Sequence, residues 1–408
     1  MFVQRTPDTK EPARSRGTRR VFALTIGIAL AIGALLLWRA TRPNEAPQHA
    51  RSAVRALLLE RSRATIEPAR TDVDESDPRA RPWWIPEADA RLLFAVSTRG
   101  QRYDPWTYHA AIPGLDQEVV WPEHAGGSFR YRANARGLRE DAEVAPERGD
   151  LRVLVTGDSH SAGFCDNSES FSNVLEARLA RRHPERKIDV VNAANMGFSF
   201  HNYLGALEKY RDLRPHVFVV VVHGGNDFHE VLLPYRYLHR LPPPAEDEAL
   251  YRKRGDAEMR FPAALFQGAW STASFRAHPE ERALASTAAD EVFDRIRALC
   301  AEDGIRLVVA LIPSPLEVEG DLHADSVDPV LSSFGTTRRD VAEHGELGRE
   351  LLHRLERSSV ACVDAMDALR ESGAPSFWRE DLHLSVAGHE RMARVLEPIV
   401  AASAGFDR

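Results

Sequence analysis

The chain has 408 residues, 43% of them hydrophobic, which is longer than one typical domain and enough for a large core plus appendages. A formal net charge of −7, from 53 basic and 60 acidic side chains, lacks the basic excess that attraction to nucleic acid requires, so nucleic acid is excluded as an expected partner. The three cysteines, Cys165, Cys300 and Cys362, show no C-x-x-C spacing and read as buried or idle thiols, with one disulfide open in an oxidising compartment.

Residues 1–20 form a basic tail, with Arg5, Lys10, Arg14, Arg16, Arg19 and Arg20 against two acidic residues. The uncharged run from Val21 to Trp38 follows. Its 18 residues would span roughly 27 Å as a helix, close to the hydrocarbon thickness of a bilayer. Residues 21–38 therefore read as a single transmembrane anchor. The preceding positive charge keeps the tail cytoplasmic and sends the rest of the chain outward. The flank WRATRP offers no small-residue cleavage site, which favours an uncleaved anchor over a removed signal peptide.

Residues 39–82, rich in Arg, Pro, Glu and Ala, read as a stalk with one amphipathic helix around 52–65, where Val54, Leu57, Leu58 and Arg61 fall at helical spacing. Residues 83–150 read as a small accessory segment of strands and turns without a helical period. From Leu151 the pattern changes. The runs LRVLVTG, KIDVVNAAN, HVFVVVVHGG, IRLVVALIP and SSVACVDA alternate with helical stretches. Strands apolar on both faces belong inside a parallel sheet covered on each side, so residues 151–403 predict an α/β, doubly wound, mainly parallel five-stranded sheet. An insertion at 228–288 is far longer than an ordinary strand-to-helix link and reads as a lid or substrate wall.

In such a sheet reactive groups gather outside the carboxyl ends of the strands. After the first strand comes Gly157-Asp158-Ser159-His160; alone, this serine reads as a turn or N-cap residue. After the second comes Asn192-Ala193-Ala194-Asn195-Met196-Gly197, and after the third Gly224-Gly225-Asn226-Asp227, both of which also suit ordinary turns. After the fifth comes Trp378-Arg379-Glu380-Asp381-Leu382-His383-Leu384-Ser385. Serine is a poor nucleophile until a base takes its proton, and an imidazole base needs an acid to fix its tautomer. All three residue types stand at strand ends. No G-x-S-x-G surrounds Ser159, against an α/β-hydrolase elbow. His216, His223 and His229 lack metal-ligand spacing and read as structural, and Arg252-Lys253-Arg254 reads as a solvated charge run. Nothing calls for a metal or a cofactor.

Taken in order, GDSH, NAANMG, GGND and DLHLSxxGH resemble the four blocks of the SGNH, or GDSL-like, hydrolases across about residues 151–403, and SFRYRANARGLRED resembles the lead-in of many exported bacterial members. The resemblance implies a flavodoxin-like sandwich and a serine esterase or acylhydrolase. It implies Ser159 as nucleophile, Ser159, Gly197 and Asn226 as oxyanion hole, His383 as base, and Asp158 as a brace for the turn. The family's acid stands three residues before its histidine, which here is Glu380; Asp381, two before, has the shorter side chain and is preferred, as in relatives with a D-x-H pair. An anchored, extracytoplasmic enzyme in the cell inner membrane would meet envelope polymers and lipids, so O-acetyl groups of cell-envelope glycans are the expected substrate. The alternatives are an O-acyltransferase or lipid esterase of the same fold, and an inactive envelope binding or assembly protein.

Overall fold

The structure is a computed structural model that describes residues 45–63, 77–94 and 100–406. The apolar run 21–38 lies outside these residues. Among the described residues no helix is long and apolar enough to cross a membrane.

Helix α1 (Glu45–Arg63) occupies part of the stretch 39–82 read as a stalk and starts earlier than the helix expected around 52–65. From Ala50 onward it belongs to the same compact unit as the rest of the body. Leu58 is fully buried, and Val54 and Leu57 pack beside it against Ile85, Tyr108 and Tyr237, so this part of the expected stalk is docked. Arg55 adds an ion pair to Glu246 at 2.9 Å. The accessory segment contains helix α2 (Glu87–Leu93), which the sequence reading did not expect. Seven residues are too few to show a helical period; the helix rests on Pro86 before its first turn, acids at its start and Arg91 near its end. Two antiparallel hairpins follow, β1 (Gln101–Arg102) with β2 (Ala110–Ala111), and β3 (Asp116–Val120) with β4 (Ser128–Arg132).

The main sheet contains β5 (Leu151–Gly157), β6 (Ile188–Asn192), β7 (Val217–His223), β8 (Arg306–Ile312) and β9 (Ala361–Asp364). The spatial order is β6-β5-β7-β8-β9, all parallel, as the five apolar runs required. This is the flavodoxin-like order, and it reverses direction between β5 and β7, where a crevice opens at the carboxyl ends. Between strands run α3 (Ser159–Ala162), α4 (Phe171–Arg182), α5 (Phe200–Lys209), α6 (Asp227–Glu230), α7 (Leu232–Leu238), α8 (Glu248–Arg260), α9 (Ala263–Ala277), α10 (Pro279–Glu302), α11 (Pro315–Val318), α12 (Ala324–Phe334) and α13 (Arg338–Arg357), and after β9 come α14 (Met366–Leu369) and α15 (Val386–Ala404).

Strand β7 explains the three layers, because every one of its side chains is buried. Phe218, Val220 and Val222 face α5, α10 and α13, while Val217, Val219 and Val221 face α4 and α15. Each such valine removed from water contributes roughly 1.5–3 kcal/mol. The insertion joins the first of these cores through Phe228, Val231, Leu232, Tyr235 and Phe275. Its α8 and α9, together with α12, enclose a separate cluster of Leu265, Trp270, Val327, Leu331 and Phe334, and one residue from the last strand's loop, Leu382, enters it. Part of the basic run is spent holding this unit together: Lys253 donates to the Phe334 carbonyl, and Arg254 pairs with Glu258 across one turn and lies over Trp270. Cys165, Cys300 and Cys362 are free thiols.

Candidate active site

At the end of β5 the backbone turns sharply into α3, and Gly157 permits it: a Cβ there would lie 2.1 Å from the Ser161 hydroxyl oxygen. Asp158 caps the short helix, its carboxylate accepting the His160 N–H at 2.9 Å. Ser159 is therefore the first helical residue, where a backbone N–H has no acceptor inside the helix.

The loop after β9 brings the histidine to it. His383 Nε2 lies 2.8 Å from Ser159 Oγ, and His383 Nδ1 lies 2.8 Å from both carboxylate oxygens of Asp381. Asp381 Oδ1 also accepts the backbone N–H of His383 at 3.0 Å, folding the carboxylate back over its own loop. Glu380 is exposed and its side chain is not among these contacts; its backbone N–H, with that of Arg379, donates to the carboxylate of Glu123 at 3.1 and 2.8 Å. Leu382 adopts φ +63° and is buried in the insertion's cluster. The imidazole of His383 is flanked by Phe164 and His160, with ring centroids 4.2 and 4.7 Å away.

The other two strand ends converge as well. Gly197 has φ +76°, a left-handed conformation that glycine adopts without strain, in a turn pinned on both sides. Asn195 Oδ1 accepts the Met196 N–H at 2.9 Å, and the Met196 carbonyl accepts Gln101 Nε2 at 2.8 Å and contacts His109 Nε2 at 3.0 Å. After β7, the Asn226 amide is clamped: its Oδ1 lies 2.7 Å from His223 Nδ1, and its Nδ2 donates to Glu230 at 2.9 Å. An amide nitrogen carries two hydrogens, so one N–H of Asn226 remains for another acceptor. Asp227 anchors the turn from below, accepting the Tyr203 hydroxyl and the His223 N–H, each at 2.8 Å.

Burial shapes the electrostatics of this floor. It raises the Glu230 carboxyl to about 7. It also raises Asp227 well above the usual carboxylate range, with the Asp158 charge adding to the effect. Burial, with His223 and His383 alongside, holds His160 well below the ordinary imidazole value.

The four predicted blocks thus meet at one crevice, and of the two candidate acids Asp381 is the one in contact with His383. The supporting residues were missed. His223 looked structural because no ligand motif surrounds it, whereas its position at the end of β7 was a usable signal. Gln101, His109 and Glu123 carried no sequence signal, since each reaches the site through tertiary packing, whereas Glu230 lies one helical turn after Asn226 and its i, i+4 spacing was a usable signal. His216, by contrast, is structural as expected, accepting the Arg152 N–H at 2.9 Å.

A lipolytic protein of the G-D-S-L family from Desulfitobacterium hafniense DCB-2 aligns at 12% identity over 61% of this chain and 99% of its own, with a TM-score of 0.35. An acetyl xylan esterase from Geobacillus stearothermophilus aligns at 15% identity over 63% of this chain and 97% of its own, with a TM-score of 0.34. No curated protein matches the chain. The family described as GDSL-like lipase/acylhydrolase matches residues 155–391. That span is more than half of the chain and contains the Ser159, Asn226 and His383 strand ends, so this protein belongs to the GDSL-like lipase/acylhydrolase family, hydrolases that act on ester bonds.

Proposed function

We propose that the chain is a serine esterase that removes ester-linked acyl groups through an acyl-enzyme on Ser159. The observation that carries this reading is the unbroken relay from Asp381 through His383 to Ser159, with 2.8 Å at each step. His383 Nε2 takes the Ser159 proton as Oγ attacks the acyl carbon, and Asp381 holds the imidazole in the required tautomer and stabilises the imidazolium. The N–H groups of Ser159 and Gly197 and the remaining Asn226 N–H stabilise the oxyanion. His383 then returns the proton to the departing alcohol, and water, deprotonated by the same imidazole, releases the acid. The Asp381–His383 contact supports an active enzyme over an inactive envelope binding or assembly protein, since the unusual acid spacing was the motive for that alternative.

The substrate reading is O-acetyl groups of cell-envelope glycans. It is supported by location: the uncharged run 21–38 would anchor the enzyme in the cell inner membrane and face the body toward envelope polymers in the periplasm. p-Nitrophenyl acetate hydrolysis by the full-length chain and by Ser159→Ala tests the chemistry, with turnover expected only in the unmodified protein. Equal rates would end the esterase reading. Acetate release from O-acetylated glycan, compared with transfer to an added oligosaccharide, then tests hydrolysis against transfer.

A further inference from the structure

Beside the nucleophile lie three buried side chains that the esterase cycle does not place on the ester. Asp158, His160 and His223 are 1%, 3% and 6% exposed. The rings of His160 and His223 lie tilted by 35° to one another with centroids 3.9 Å apart. Two of them have a buried polar atom without a partner, Asp158 Oδ2 and His160 Nδ1. Asp227 Oδ1 and Glu230 Oε2 are buried and unpartnered too. Buried polar atoms are rarely left unmatched, and a group of them rich in acceptors is matched most simply by a cation.

The spacing is that of a metal site. One ligand atom from each of Asp158, His160 and His223 lies within 4.8 Å of the others. Asp158 Oδ2 and His223 Nδ1 are 3.4 Å apart. This is long for an N–H···O hydrogen bond, yet close to the ~3.3 Å edge of a tetrahedron whose ligands stand about 2.0–2.1 Å from zinc. The second His/Asp/Glu cluster, His124, Asp166 and Glu169, is less suited, because its members are already paired: His124 with Glu169 at 2.8 Å, and Asp166 with the Arg130 N–H.

We propose that Asp158, His160 and His223 form a binding site for a divalent transition-metal ion of zinc's borderline character, and that its occupation switches the esterase off. Binding at His223 Nδ1 requires the Nδ1 proton to move to Nε2, so that the Nδ1 lone pair can reach the metal, and the metal bond must outweigh a buried Nε2–H without an acceptor. His223 then no longer donates to Asn226 Oδ1, 2.7 Å away, and the amide that the oxyanion needs loses its brace. The inhibition rests on the proposed esterase reading; the binding does not.

Titration of the metal-free full-length chain with Zn²⁺ in a calorimeter tests the site. A single ion per chain is expected, weakened about 10- to 100-fold or more in His160→Ala and Asp158→Asn and unchanged in His124→Ala. Co²⁺ added to the unmodified chain should give the intense visible absorption of a tetrahedral site, a readout that needs no variant to fold. Zn²⁺ should inhibit p-nitrophenyl acetate hydrolysis, and a chelator should restore it. Absence of saturable binding, equal affinity in all variants, or loss of binding in His124→Ala overturns the site. Binding without inhibition overturns the switch. Binding with no esterase activity in the metal-free chain leaves the site standing and removes the esterase reading instead.

Discussion

Leu382 shows how a two-residue spacing between acid and base can work. Its left-handed backbone turns the chain so that Asp381 folds back onto both the N–H and the ring of His383. A non-glycine residue there costs roughly 1–2 kcal/mol, and burying the leucine side chain among Trp270, Leu316 and Phe334 returns about 1.5–3 kcal/mol. The usual ranking of small substitutions should therefore invert. Leu382→Ala keeps the strain and loses the burial, whereas Leu382→Gly loses both, so the glycine variant should be the more stable by about 1 kcal/mol in urea titration. Both variants should lose about 10- to 100-fold in kcat as the loop loosens, and a full rate in either would show that the anchor does not position the relay. At the neighbouring positions, Asp381→Asn should lower kcat on the order of 10⁴-fold while Glu380→Gln leaves it near normal; the reverse result would return the acid's role to Glu380. The sequence left these two carboxylates open because they are adjacent and chemically alike. What separates them is an Asx-type turn, visible only once Asp381 is seen accepting a backbone N–H two residues ahead.

The elements that form the sheet were legible because β5, β7 and β8 are short apolar runs rich in Val, Leu and Ile, as strands covered on both faces are; β9, half-buried along its length, carries the weakest such run. The elements that brace the site were not, since each hairpin reaches it through one or two side chains brought there by tertiary packing. The loop joining β3 to β4 matters most, because Glu123 there accepts two backbone N–H groups from the histidine's loop. Hydrogen bonds to a charged group contribute about 1.5–3 kcal/mol each, enough to set how often that loop opens. Glu123→Ala should accelerate amide hydrogen exchange at Arg379 and Glu380 and reduce kcat. Glu123→Gln, which keeps one acceptor oxygen, should fall between the alanine variant and the unmodified chain in both measurements. Unchanged exchange at Arg379 and Glu380 in the alanine variant would mean that the hairpin merely rests against the loop. The β1–β2 hairpin plays the matching part at the oxyanion turn through Gln101 and His109, so the accessory segment touches two of the four strand ends.

Across the whole molecule, an unusual number of imidazoles are sealed inside, and this dictates how stability responds to pH. Burial lowers His109 and His344 to about 4, and His201 and His389 to about 3, from the ordinary 6.5. For a base depressed by folding, the unfolded chain binds more protons below 6.5, so stability is fully present above that value and is lost as pH falls toward the folded values. At pH 5 each of these four residues, all at most 5% exposed, withdraws ~2 kcal/mol, and together they rival the 5–15 kcal/mol that holds a typical domain folded. Glu140 acts in the opposite sense. Burial raises it from 4.5 to about 8, so the folded chain binds its proton more tightly and stability is lost as pH rises across that window. Glu230, raised to about 7, and Asp227 act in the same sense as Glu140, while His160 and His229 add to the four imidazoles. The imidazoles outnumber the carboxyls below 6.5, and above it only the carboxyl side remains. Stability should therefore peak near pH 6.5–7, fall steeply toward pH 5 and decline gently toward pH 8.5, as read by urea unfolding at those three values. His389→Gln isolates the cause: His389 Nδ1 accepts the Phe171 N–H at 3.2 Å, and the glutamine carbonyl can take over that bond without ever binding a proton. The variant should match the parent at pH 7 and exceed it at pH 5, and equal losses in the two proteins between pH 7 and pH 5 would show that the acid sensitivity arises elsewhere.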